Sequence, residues 1–89
     1  MNDYNAAAAT FTRSARGGYL TPFTFARSGN TGQVRTVKTE RMNPSVRGGA
    51  YTTEWEARFG TYKGHGKTRV EALHRLAHRM QTQSIHITF

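Results

Sequence analysis

Hydrophobic and polar positions alternate most cleanly from Tyr51 to Phe59. Tyr51, Thr53, Trp55, Ala57 and Phe59 fall on one side, and Thr52, Glu54, Glu56 and Arg58 on the other. Period two with aromatics on one face predicts a strand half-buried in a sheet. The stretch from Tyr19 to Ser28 alternates in the same way, with Tyr19, Thr21, Phe23 and Phe25 on one face. Pro22 cannot donate a ladder hydrogen bond, which predicts an edge position for that strand. Ser28 to Gly32, SGNTG, is rich in turn formers, and the β-branched run QVRTVKTERM after it predicts the return strand of a hairpin. A loop, NPSVRGG, leads into the Tyr51 strand, and Gly60 turns the chain into a short fourth strand, TYK.

The period then changes. Val70, Leu73, Leu76, Ala77 and Met80 recur at helical spacing, opposite His74, His78, Glu71, Arg75 and Arg79. Thr68 followed by Glu71 predicts a capping box, and Glu71 stands four residues before Arg75, the favourable direction for an ion pair. The last stretch, SIHITF, alternates Ile85, Ile87 and Phe89 and predicts a short closing strand. The first 17 residues carry only a weak pattern: NAAAAT predicts either a short helical turn or a disordered end. The expected fold is α+β. It has an antiparallel three- to four-stranded sheet, one C-terminal amphipathic helix packed on one face and a last short strand, all in a single small basic domain spanning 1–89. The third-strand aromatics and the helical stripe are its expected core.

Composition changes the picture through charge. The 89 residues hold 13 Lys plus Arg against 5 Asp plus Glu, for a net charge of +8, and 10 of the cations are Arg. Guanidinium forks match phosphate and carboxylate, so the expected partner is nucleic acid or an acidic protein surface. The absence of cysteine excludes disulfides and thiolate metal sites. No apolar run is long enough for a membrane helix, and the N-terminus lacks the plan of a secretory signal, so no membrane partner and a cytoplasmic location are expected. His74 and His78 have metal-ligand spacing but no evident third ligand; neither a metal nor another cofactor is expected. The carboxylates are scattered, with Glu54 and Glu56 beside Arg58 on one strand face, and no nucleophile triad is spaced for catalysis. The chain is therefore not expected to be an enzyme.

The remaining signal is GHGKTR before the helix. Two glycines, two cations and the positive end of a helix dipole converge there, an arrangement suited to a phosphate. Lys63, His65, Lys67 and Arg69 are the candidate contacts. Arg75 and Arg79 on the helix and Arg47 in the VRGG loop extend the track, and Arg16 in ARGG is a further loop cation. The aromatics Tyr19, Phe23, Phe25, Tyr51, Trp55 and Phe59 are candidates either for the core or for a base-stacking platform on an open sheet face. The Pro22 strand, as a free edge, could pair two copies into a homodimer.

The segment from Tyr51 to Met80 resembles the C-terminal half of a double-stranded RNA-binding domain. Tyr51 leads the strand, Gly64, Gly66 and Thr68 form the helix entry, and Ala72, Leu76 and Ala77 match its small-residue stripe. The resemblance implies recognition of duplex shape, with Lys67 and Arg69 on phosphates. Val70 and Leu73 stand where that family usually has further lysines. The strands followed by GHGKTRVEAL, a helix and a short strand also look like the partial ribonuclease-H-like fold of HicB-type antitoxins, which implies a protein-binding module. Two functions are thus expected. One is a non-catalytic module on the backbone of structured or double-stranded RNA or DNA. The alternative is a small phage or mobile-element protein, acting in the host cytoplasm, that inhibits a host nucleoprotein or defence enzyme by protein contact.

Overall fold

The computed structural model describes residues 3–42 and 51–89. Eight elements follow one another: α1 (Tyr4–Ala9), β1 (Thr12–Arg13), β2 (Tyr19–Phe25), β3 (Thr31–Met42), β4 (Tyr51–Phe59), β5 (Tyr62–Gly66), α2 (Arg69–Thr82) and β6 (Ile87–Thr88). The fold is α+β, as the alternating and helical periods predict. The sheet runs β1-β2-β3-β4-β5, every pair antiparallel, with β6 also on β2. It has six strands: the expected four, the expected closing strand β6, and β1, which the sequence did not announce. Among the described residues, no helix is long and apolar enough to cross a membrane.

Pro22 explains how the two short strands share one edge. β1 pairs with Tyr19 and Leu20, and β6 with Thr24 and Phe25. Pro22 falls in the gap between them, where its missing N–H costs nothing. The strand is thus an edge only at Pro22, and the side expected to pair two copies is occupied on either flank. Among the described residues the path ends at the two-residue β1 on one side and at β5 on the other, so the longer free edge is that of β5.

Helix α2 forms with the N-cap and the ion pair read from its sequence, but Glu71 turns to Arg75 instead of closing the capping box. Thr68 Oγ1 accepts from the Glu71 N–H at 3.1 Å as the N-cap, and Glu71 pairs with Arg75 Nη2 at 2.8 Å. Its fully buried face is Ala72, Leu73, Leu76, Ala77 and Met80, while Val70 is half-buried beside α1. This face packs on Phe23, Val34, Ala57 and Ile87, together with the buried hydroxyls of Thr21 and Thr36. Each large apolar side chain so buried contributes about 1.5–3 kcal/mol. Phe23 is the aromatic centre of this core, stacked edge-on with Phe25 and Phe59, whereas Trp55 and Phe59 flank it. Tyr19, Phe23, Phe25, Trp55 and Phe59 all lie on the helix-facing parity of the sheet. That placement makes them core residues and leaves the opposite face without them as a stacking platform.

The N-terminal segment, read as either helix or disorder, is α1, capped by the Asp3 carboxylate. Ala7 is buried in the core, and Tyr4 stacks on His74 and Phe89.

Candidate nucleic-acid interface

The GHG stretch is the end of strand β5, not a flexible turn, and Lys67 follows it in a bend. A two-residue turn, Gly60-Thr61 with Gly60 at φ +58°, closes the β4–β5 hairpin, and pairing runs from Phe59↔Tyr62 to Trp55↔Gly66. Gly64 and Gly66 are buried because α2 lies directly against them. A Cβ on Gly64 would stand 2.3 Å from Leu76 N and 2.6 Å from Ala72 O; one on Gly66 would stand 2.6 Å from Glu71 Cβ. These glycines are there for close approach of helix to strand, not for mobility.

That approach makes a groove. The outer edge of β5 and the flank of α2 enclose a cleft of about 650 Å³, lined by Lys63, His65, Arg75, His78, Arg79 and neighbouring Thr and Gln residues. The hairpin's closing pair Phe59↔Tyr62 exchanges hydrogen bonds, so by alternation Ala57↔Gly64 does too. The main-chain N–H and C=O of Lys63 and His65 then point away from β4, along the free edge. Strand alternation carries the Lys63 and His65 side chains toward the face away from α2. They form the outer rim of the cleft, and Arg75, His78 and Arg79 form its helical wall.

Four of the seven sequence candidates (Lys63, His65, Arg75 and Arg79) therefore meet in one place. Lys67 is exposed at the end of β5, just before the N-cap. Among the described residues, no carboxylate pairs with Lys63, Lys67 or Arg79, whereas Arg75 is shared with Glu71. Arg47 lies outside the described residues.

Arg69 departs from expectation. It occupies the first turn of α2 but points into the protein, over the sheet. Its Nε donates to Thr36 Oγ1 at 3.2 Å, one Nη to the Ala8 carbonyl and the other to Thr21 Oγ1 at 3.4 Å. The guanidinium carbon lies 4.4 Å from the Phe11 ring centroid, 5.1 Å from Tyr19 and 5.7 Å from Trp55. Burial pulls its pKa below the ordinary arginine value, opposed by the electrostatic influence of Tyr19. With each of its three nitrogens donating inward and rings beside its face, Arg69 bolts α1, α2 and the sheet together rather than presenting its fork at the surface as a phosphate contact.

Other cations are also committed. Arg35 donates to Ser14 Oγ at 2.9 Å and to the Gly17 carbonyl at 2.6 Å, fastening the β1–β2 turn. Arg58 donates to Glu56, whose other carboxylate oxygen stands 3.5 Å from His65 Nδ1. Of the charges read from sequence on one strand face, Glu56 and Arg58 pair, with Glu56 itself buried. His74 stacks on Tyr4 at 4.7 Å, while His78 turns to the groove.

Two participants escaped the sequence reading. His78 was legible only as half of a metal spacing, although its position three after Arg75 already put both on one flank. The free main-chain edge of β5 was hidden because GHG has the composition of a turn. Comparison with family models, curated proteins and solved structures finds no match to this chain.

Proposed function

We propose that the protein is a non-catalytic nucleic-acid-binding module that holds a phosphate backbone along the β5–α2 groove. One observation carries this reading: Lys63, Arg75, His78 and Arg79 line a single cleft beside an unpaired strand edge. Phosphate oxygens accept from cations and from main-chain N–H groups alike, and both are presented there. Lys67 continues the line toward α2's N-terminus. Arg75 and Arg79 supply forked donors, Lys63 and Lys67 supply point charges, and the net charge of +8 steers the approach.

The test is titration of labelled duplex DNA, duplex RNA and single strands at several salt concentrations. Binding that weakens steeply with salt, and that is lost in a Lys63→Glu/Arg79→Glu chain, supports the reading. No binding to any of them at low salt ends it. The second reading, an inhibitor docking on an acidic protein, draws on the same free edge, which could accept an extended strand. A protein partner that survives nuclease treatment in a pull-down favours it.

A further inference from the structure

The β3–β4 pair outgrows the rest of the sheet. β2 last pairs with β3 at Tyr19↔Thr36, and β5 last pairs with β4 at Gly66↔Trp55. Four further pairs, Thr39↔Glu54 to Met42↔Tyr51, have no third strand beside them among the described residues. At 3.4 Å per residue this two-stranded ribbon projects by about 14 Å. Lys38, Glu40, Thr52 and Thr53 are exposed, and among the described residues none of the core lies beyond Trp55. The molecule is accordingly long, 50 × 29 × 23 Å, with a radius of gyration of 14.0 Å. A compact chain of this length would have about 12 Å.

Two strands alone are marginally stable in water, so nothing in the core explains the extension. The described side chains beyond Trp55, Thr39, Glu40, Thr52, Thr53 and Glu54, are all polar, which argues against a second hydrophobic layer over that part of it. Lys38 and Arg41 are balanced by Glu40 and Glu54, so the ribbon is no phosphate clamp either. Its dimensions do fit one target. The major groove of B-form DNA, about 12 Å wide, admits a two-stranded ribbon, whereas that of A-form RNA is too deep and narrow. Hydroxyl, Lys and Arg groups are those that hydrogen-bond base edges there. β5 leads from the basic cleft straight to the base of the ribbon, where Gly66 pairs with Trp55 and exposed Lys67 follows.

Resting on the nucleic-acid reading above, we infer that the β3–β4 ribbon beyond Trp55 enters the major groove, and that the target is B-form duplex DNA rather than duplex RNA. The cleft supplies charge and the ribbon supplies orientation and base contacts.

The test compares 30-base-pair DNA and RNA duplexes against three full-length proteins. These are the wild type, a chain in which residues 40–53 are replaced by Asn-Gly, and an Arg41→Glu/Thr52→Glu chain. The alternation that exposes the edge of β5 makes Thr39↔Glu54 a hydrogen-bonded pair, suited to closure by a two-residue turn. Guanine N7 methylation reports major-groove occupancy. The inference expects DNA bound at least tenfold more tightly than RNA, N7 protection by the wild type, and a tenfold or greater loss of DNA affinity in each variant that folds. Because the point variant leaves the ribbon length intact, it decides the matter if the shortened chain does not fold. Tight DNA binding without N7 protection, equal binding of duplex RNA, or unchanged affinity in the variants overturns the arm and leaves the phosphate-binding groove standing. Failure of the wild type to bind either duplex overturns both.

Discussion

Gly64 illustrates how one residue can set the distance between two elements. Its hydrogen occupies the place where any Cβ would meet the backbone of α2 at Leu76 N and Ala72 O. Backbone atoms on a packed helix cannot step aside as a flexible side chain can. Gly64→Ala should therefore cost at least about 3 kcal/mol, lowering the melting temperature by about 12 °C or more in a domain of this size. Thermal unfolding followed by circular dichroism reads this directly, and an unchanged melting point would show that α2 does not lie so close. Ser84 presents the opposite case. It ends α2 at φ +62°, with its own N–H donating to the Gln81 carbonyl at 2.9 Å and the Ile85 N–H to the Met80 carbonyl at 3.0 Å. This is a Schellman termination with serine where glycine is favoured. Ser84→Gly should stabilise by about 0.5 kcal/mol, raising the melting temperature by about 2–4 °C after allowing for the greater freedom of unfolded glycine.

At the scale of elements, Arg69 has the largest reach, because its donors and faces touch α1, β2, β3 and β4. Removing it strands the Ala8 carbonyl and two hydroxyls and uncovers the Phe11–Tyr19–Trp55 rings. Arg69→Ala should cost about 2 kcal/mol, and hydrogen exchange should quicken first in α1, where amide protection measures the loosening. Nucleic-acid affinity at saturating folded protein should change little. A variant that keeps its melting temperature but loses binding would restore Arg69 to the interface. Elements with one clean period were legible: β4 alternates over nine residues, and the stripe of α2 repeats from Leu73 to Met80. β5 was legible only at its start, Tyr62 and Lys63 within TYK, because Gly64 and Gly66 answer to a helix that packs on them only after folding. The inward turn of Arg69 was equally hidden: a cation in a first helical turn reads as solvated unless the sheet beneath it is known. Pro22 was read correctly as lacking a partner on one side, yet the gap it fills between β1 and β6 depends on residues more than 60 positions apart.

Across the whole molecule, the net charge of +8 would draw any polyanion, so a groove must be distinguished from a diffuse field. Counterion release separates the two, because each phosphate neutralised by the protein contributes about 0.9 to the slope of log affinity against log salt on B-form DNA. Lys63 and Arg79 line the cleft without carboxylate partners, whereas exposed Arg13 and Arg27 lie away from it, on β1 and in the β2–β3 turn. Reversing either pair to Glu alters the net charge equally. If binding is a general attraction, the two double variants should lose affinity to the same degree and keep equal slopes. If the groove holds the backbone, Lys63→Glu/Arg79→Glu should flatten the slope by about 2, while Arg13→Glu/Arg27→Glu leaves it within about half a unit of the wild type. Matched melting temperatures are expected for both, since all four side chains are exposed and make no ion pair among the described residues. Equal slopes in the two variants would reject the groove even if affinity fell, because long-range steering alone accounts for a loss that does not depend on where the charge sits.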